Sequence, residues 1–263
     1  MESKNFTITQ IGDIVLKQPM PFIFIEAKGK TFLFQEDDKS GFMDIDMEPK
    51  SIQFKNNFYL CAYPCTQEFW QAVVSQTGGH DLESSPVRSK GLTRPVENVS
   101  WHDIKLFISL LHHLLHNEKL FAGNQVIKLK GGFNLPSEIQ WEYAARAGGA
   151  FLFAGSNQVQ DVAWYDGNND LHTMPVGLKK PNAWGLFDMS GNVYEWCANN
   201  SNELPEHGEA GDMDQDNTVS LRGGGCWDGA RSCWVRNRYF IRPDRRIRLI
   251  GFRLLFSPSS STA

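Results

Sequence analysis

The stretch that decides the reading is Asn182-Ala-Trp-Gly-Leu-Phe-Asp-Met-Ser-Gly-Asn-Val-Tyr-Glu-Trp196. It lies in a region, about 150 to 220, where Gly, Asn, Asp and Pro are dense and regular structure is expected to be scarce. Gly185 and Gly191 fall where tight turns are expected. Loops of this length inside a compact domain are usually functional or cross-braced. The chain's eight tryptophans suit such bracing, because large aromatics anchor loops that have no sheet of their own. The acidic stretch Glu203 to Asp216 is most simply a solvated loop.

Upstream, Phe133-Asn-Leu-Pro-Ser-Glu-Ile-Gln-Trp-Glu-Tyr-Ala-Ala-Arg-Ala-Gly-Gly149 predicts a short helix. Ser137 and Gln140 make a capping box, Trp141, Ala144 and Ala145 follow at helical spacing, and Gly148 and Gly149 stop it. A longer helix is signalled by the capping box Ser100-Trp-His-Asp103. The apolar positions Ile104, Phe107, Ile108, Leu111 and Leu115 follow, and the expected end is near Leu120. Another helix starts at the N-cap Thr66, with Glu68 in the first turn and Phe69, Trp70 and Val73 on one face. Gly78 to Arg94 reads as loop. Before it, Ile14–Leu16, Phe22–Glu26, Thr31–Phe34 and Ile52–Phe54, continuing to Phe58–Ala62, read as strands, with a loop at Asp37–Gly41.

Composition narrows the class. The 263 residues are 41% hydrophobic, enough for one sizeable core, and neither an internal repeat nor a linker divides them. One domain over residues 1–263 is expected. The net charge of −4 argues against nucleic acid as a partner. No apolar run reaches the roughly 18–20 residues that span a bilayer, and MESKNFTITQ has no export-signal core. As written the chain reads as soluble. A start this short is also compatible with an export signal removed ahead of a new Met1, which leaves localisation open. The five cysteines, Cys61, Cys65, Cys197, Cys226 and Cys233, form neither a disulfide framework nor a zinc pattern, so buried free thiols are expected.

Six segments in order resemble the formylglycine-generating enzyme, or sulfatase-modifying-factor, family. They are Tyr63-Pro-Cys-Thr-Gln-Glu-Phe-Trp70, Arg94-Pro-Val-Glu-Asn-Val-Ser-Trp101, Asn134 to Arg146, Asn182 to Trp196, Leu221-Arg-Gly-Gly-Gly-Cys-Trp227 and Ile250-Gly-Phe-Arg253. The resemblance covers about 60 to 256. It implies an α+β, C-type-lectin-like fold with a small twisted antiparallel sheet, two main helices and much ordered loop. It also implies a calcium ion near Asn192 and Glu195, whose oxygens are the donors a hard cation selects. The alternative is that both residues only bond loop backbone.

The resemblance argues against catalysis. The family's oxidases use two cysteines with four residues between them after the Gly-Gly turn, and a soft metal such as Cu(I) needs thiolates of that kind. Here Cys226 and Cys233 have six residues between them, and the place of the first catalytic cysteine falls near Asp228 or Gly229. His112, His116 and Glu118 match the His-x3-His-x-Glu pattern of ergothioneine-type sulfoxide synthases. In those enzymes the motif belongs to a separate helical domain that this chain lacks. An oxidoreductase relative is therefore the alternative reading, and helix-end histidines are the simpler account of the motif.

The tail resembles, more specifically, the variable proteins of bacterial diversity-generating retroelements. Fixed-looking positions are Gly223, Gly224, Trp227, Ala230, Cys233, Arg238, Pro243, Arg246, Gly251, Phe252 and Arg253. Between them Asp228, Gly229, Ser232, Asn237, Tyr239, Phe240, Ile241, Asp244, Arg245, Ile247, Arg248 and Leu249 show no period of 2 or 3.6. Most of these are reachable from randomised asparagine codons; Trp234 is not, though it is expected to line the site. Between Arg222 and Arg253 the chain has nine arginines, two aspartates and no lysine. A core strand would bury too many of these charges, so an exposed surface on fixed anchors is expected. Tyr, Phe and Arg are the side chains of interface hot spots. The expectation is a non-catalytic monomer that binds a protein or cell-surface ligand through this tail.

Overall fold

The computed structural model describes residues 5–34, 49–79, 82–83, 89–200 and 218–259. The expected loop at Asp37–Gly41 and the acidic stretch Glu203 to Asp216 lie outside the described residues.

The strands before the first helix are β1 (Phe6–Ile11), β2 (Ile14–Ile25), β3 (Thr31–Phe34), β4 (Lys50–Gln53) and β5 (Phe58–Cys61). Helices α1 (Gln67–Thr77) and α2 (Trp101–His116) follow, then β6 (Leu120–Ala122), β7 (Gln125–Val126), β8 (Gly131–Asn134) and α3 (Glu138–Arg146). The remainder is sparse: α4 (Val159–Val162), β9 (Ala163–Trp164), β10 (Ser190–Gly191), β11 (Tyr194–Asn200), β12 (Val219–Arg222), β13 (Arg238–Ile241), β14 (Ile250–Gly251) and β15 (Leu255–Pro258).

A seven-stranded antiparallel sheet has the order β7-β6-β1-β2-β5-β15-β8, so the last strand closes between β5 and β8. A four-stranded sheet, β13-β12-β11-β14, carries the tail, with β13 on its edge and β14 parallel to β11. The pairs β3–β4 and β9–β10 complete the set. Helices α1 and α2 pack together through Trp70 stacked on Phe107, centroids 4.7 Å apart, with Phe252 edge-on to both. A second core gathers Ile139, Trp141, Ala144 and Ala145 of α3 against Leu186, Met189, Cys197, Val235 and Leu255.

The predicted caps form. Thr66 accepts from Phe69 N–H, and Ser100 with Asp103 and Ser137 with Gln140 make both halves of their capping boxes. Three boundaries differ from expectation. Helix α2 stops at His116 instead of near Leu120: Glu118 turns left-handed, Lys119 N–H closes on the Leu114 carbonyl, and Leu120 pairs with Ile11 of β1. Tertiary pairing thus overrides the apolar period. After α3 it is Ala147, not a glycine, that takes the first left-handed position. The two strands expected at Ile14–Leu16 and Phe22–Glu26 are one. Pro19 and Pro21 sit inside it, and their neighbours bond elsewhere: Gln18 N–H reaches the Glu68 carboxylate at 3.0 Å and Ala62 N–H the Pro21 carbonyl. The strand β1 was not expected.

Candidate ligand-binding surface

Strand β12 is buried throughout and ends at Arg222. The chain then turns through Gly223 and Gly224, both at positive φ; a Cβ on Gly224 would stand 2.7 Å from the Ser232 carbonyl oxygen. The tail therefore folds back on itself there, and only glycine allows so close an approach. Residues 226–228 are braced from outside the tail. Asn169 Nδ2 donates to the Cys226 carbonyl at 2.7 Å, Asp166 N–H to the Asp228 carbonyl, and the Trp227 indole N–H to the Leu171 carbonyl.

Buried arginines hold the rest from beneath. The Arg222 guanidinium sits on Glu142 and donates to the carbonyls of Val235, Arg236 and Asn237 at 2.9–3.0 Å. Arg238 makes a two-pronged contact with Glu138, at 2.6 and 2.7 Å. Arg253 meets Glu195 at 2.8 Å and also donates to the carbonyls of Cys61 and Phe187. So the tail's arginines are not all on its surface: these three are interior. Paired and multiply bonded, they meet the condition for burying a charge.

Above this frame lie the expected binding residues. Gly229, Tyr239, Asp244, Arg245, Ile247 and Arg248 are exposed, and Asp228, Ser232, Trp234, Asn237, Phe240, Ile241 and Leu249 are half-buried. None of the thirteen is interior. Of the fixed-looking positions, Gly223, Gly224, Cys233, Pro243, Gly251, Phe252 and Arg253 are buried. Two depart from the expected anchoring. Arg246 is exposed and pairs with Asp103 at 2.6 Å. Trp227 is 39% exposed, with the Arg248 guanidinium 4.4 Å from its ring centroid. Trp234 is flanked in the same manner by Arg231 and Arg236, at 5.3 and 5.2 Å. Tyr239 through Ile241 do form a strand, but on a sheet edge, where exposed charges at Arg242 and Asp244 pair with each other. Leu249 is held at φ 77° by its carbonyl, which accepts from Tyr194 N–H, and by its own N–H on Glu97.

Sequence reasoning missed three apolar residues beside the tail. Leu171 is exposed next to Trp227, and Phe151 and Leu152 are exposed where the Leu152 carbonyl accepts from Val235 N–H. They lie far from the tail in sequence, so no local pattern could have joined them to it.

Asn192 and Glu195 are both buried, and their oxygens have protein partners. Asn192 Oδ1 accepts from Met174 N–H at 2.9 Å, and its amide donates back to the Met174 carbonyl. The Glu195 carboxylate takes Arg253 and, at 2.7 Å, the Trp141 indole N–H. Asn192 therefore bonds loop backbone, as the alternative has it, whereas Glu195 bonds the side chains of Arg253 and Trp141. The His112, His116 and Glu118 set does not converge. His112 Nε2 accepts from Phe133 N–H at 2.7 Å, and Glu118 pairs with Lys128. Among the described residues no three His, Cys, Asp or Glu are grouped to hold a metal.

All five cysteines are free and buried, as expected. Burial pushes the thiols of Cys226 and Cys233 up to about 12, with nearby acidic side chains adding to the effect. The Tyr194 hydroxyl bonds both Asp228 and Ser232, and burial raises the Asp228 carboxyl, helped by Asp166.

Two helices against an antiparallel sheet, with a small second sheet and braced loops carrying an exposed tail, define a C-type-lectin-like α+β fold of the formylglycine-generating enzyme type. Residues 21–258 match the sulfatase-modifying factor enzyme 1-like domain, and the chain belongs to that family. Among solved structures it is similar to Treponema denticola variable protein 1, with TM-score 0.73 and 27% identity over 97% of this chain and all of that one. It is also similar to PvdO from Pseudomonas aeruginosa, with TM-score 0.71 and 25% identity over 95% of this chain and 98% of that one. A chaperone protein LppX of Paenibacillus barcinonensis is 29% identical over 65% of this chain and 70% of its own length. The formylglycine-generating enzyme of Streptomyces coelicolor is 30% identical over 48% of this chain, and the match spans 39% of that enzyme. Among the described residues no helix is long and apolar enough to cross a membrane.

Proposed function

We propose that the chain is a non-catalytic binding protein that displays a diversified surface on a C-type lectin scaffold, as the variable protein of a diversity-generating retroelement. The observation that carries this reading is the division within one short segment. None of the residues expected to vary is interior, while β12, both turn glycines and the side chains of Arg222, Arg238 and Arg253 form a buried frame. Such a frame keeps the backbone still while surface side chains change, which limits the ordering cost of binding. The likeness to a variable protein over nearly the whole chain supports the same reading. So do two thiols held protonated at neutral pH, since the thiolate is the nucleophile and the metal ligand. The partner is a protein or cell-surface ligand met by tail side chains, among them the exposed Tyr239 and Arg248.

The test is the DNA just beyond the reading frame. The expected finding is a near-copy of the codons for residues 222–253, differing mainly where the copy has adenine, with a reverse-transcriptase gene nearby. Absence of both overturns the proposal. Once a partner is captured, Tyr239→Ala with Phe240→Ala is expected to abolish the capture.

A further inference from the structure

Away from the tail, a cavity of about 250 Å³ opens between the β4–β5 turn, the end of β8, the first turn of α3 and β15. Its polar lining is Lys55, Asn56, Asn57, Asn134, Gln140 and Ser257, and Phe54, Leu135, Leu255 and Pro258 add apolar surface. No lining residue belongs to the segment 222–253.

Three of the four lining amides, Gln140, Asn134 and Asn57, share one property. Each commits its oxygen to a backbone N–H of this chain: Gln140 Oε1 to Ser137 at 2.9 Å, Asn134 Oδ1 to Leu135 at 2.9 Å, and Asn57 Oδ1 to Lys28 at 2.8 Å. Because a backbone N–H can only donate, the amide orientations follow from chemistry. What remains at each is an NH2 group, a pure donor. Gln140 is only 9% exposed, and its Nε2 has no protein acceptor among the described residues. Lys55 adds an ammonium with no ion pair among the described residues. Four of the lining side chains therefore offer donors to one cavity, beside Asn56 and the Ser257 hydroxyl. An oxyanion, acceptor-only, is well matched, and charge-assisted bonds strengthen the match. The apolar side chains in the lining suit a carbon stem, and the volume lies below the roughly 300–1,000 Å³ of pockets for drug-sized ligands.

We infer that this cavity is a binding site for a small organic carboxylate with a short apolar stem, held by Gln140, Asn134, Asn57 and Lys55. The test uses butyrate, with butyramide as its neutral counterpart, and reads the side-chain amide resonances by NMR. Butyrate is expected to shift the Gln140 and Asn134 NH2 signals saturably, and butyramide at least tenfold more weakly. Gln140→Glu keeps the capping acceptor on Ser137 N–H, so the helix start is retained, but it replaces the donor with a carboxylate. It is expected to weaken butyrate tenfold or more with an unchanged circular dichroism spectrum, and Lys55→Met several-fold. No saturable butyrate shift in the wild type, equal shifts from the two probes, or wild-type binding by Gln140→Glu would each overturn the assignment.

Discussion

Arg222 at the end of β12 and Glu142 in the middle of α3 form an ion pair with both side chains almost wholly buried, and the same guanidinium carries the carbonyls of residues 235–237. One interior charge thus ties α3 to the start of the tail. Removing it leaves three carbonyls without their donor and Glu142 with only Arg146 among the described residues.

Arg222→Met is therefore expected to cost about 3–5 kcal/mol, the range for breaking a buried pair. Denaturant unfolding measures it. Hydrogen exchange at residues 234–238 should accelerate even where global stability suffices, because the loop loses its support from below. An Arg222→Met change within 1 kcal/mol of wild type would refute the structural role.

Glu195 is expected to act through Arg253 and Trp141, with no ion involved. Glu195→Gln leaves the Arg253 charge buried and uncompensated, at a cost of about 3 kcal/mol. A bound ion would raise the melting temperature by mass action. Melting temperatures in calcium and in chelator are expected to coincide for wild type and variant alike. A fall on chelation, seen in wild type and lost in Glu195→Gln, would restore the calcium reading.

Asp188 is fully buried. Burial raises its carboxyl to about 6, opposed by the Gly177 N–H bond to Oδ2, while Oδ1 has no partner. The unfolded chain releases this proton near 3.8, so between those values the native state holds more protons than the unfolded state. Stability therefore falls as pH rises from about 4 to 6 and stays at the lower level above. Asp188→Asn keeps an acceptor for Gly177 and cannot ionise. It is expected to flatten this slope and to gain up to roughly 3 kcal/mol at pH 7, from about 1.4 kcal/mol per unit. A slope unchanged in the variant would show that another group titrates.

His112 should produce the opposite slope. Burial, with His116 and Lys105 nearby, lowers its folded pKa below 6.5, and its Nε2 must stay unprotonated to accept from Phe133. As pH falls through 6.5 the unfolded chain takes up the proton and the native state does not, so stability declines with acidification. His112→Gln can still accept but does not titrate. It is expected to lose less stability than wild type between pH 7 and 5, measured as the difference in unfolding free energy. An equal loss in both proteins would remove His112 as the cause.

Local chemistry made part of this fold legible. The three N-caps at Thr66, Ser100 and Ser137 depend on side chains within three positions, and all formed where expected. The strand break expected between Leu16 and Phe22 failed because the Gln18 N–H and the Pro21 carbonyl are satisfied by Glu68 and Ala62, 50 and 41 positions away. The end of α2 failed likewise, because β1 claims Leu120 for the sheet.

The sequence by itself determined the family, through six ordered segments, and the exposed character of the tail, because so dense a run of charge cannot be buried without partners. It also supplied the free, buried thiols, which follow from spacing and class. Only the tertiary structure decided which arginines those partners would take inside. Glu195, Glu142 and Glu138 lie 58, 80 and 100 positions from their partners Arg253, Arg222 and Arg238, and pairing at that range depends on how α3 meets β12 and β11. It likewise decided that Asn192 and Glu195 face protein donors, and that Trp227 stands at the surface under Arg248, since an indole needs one acceptor and Leu171 supplies it at the rim.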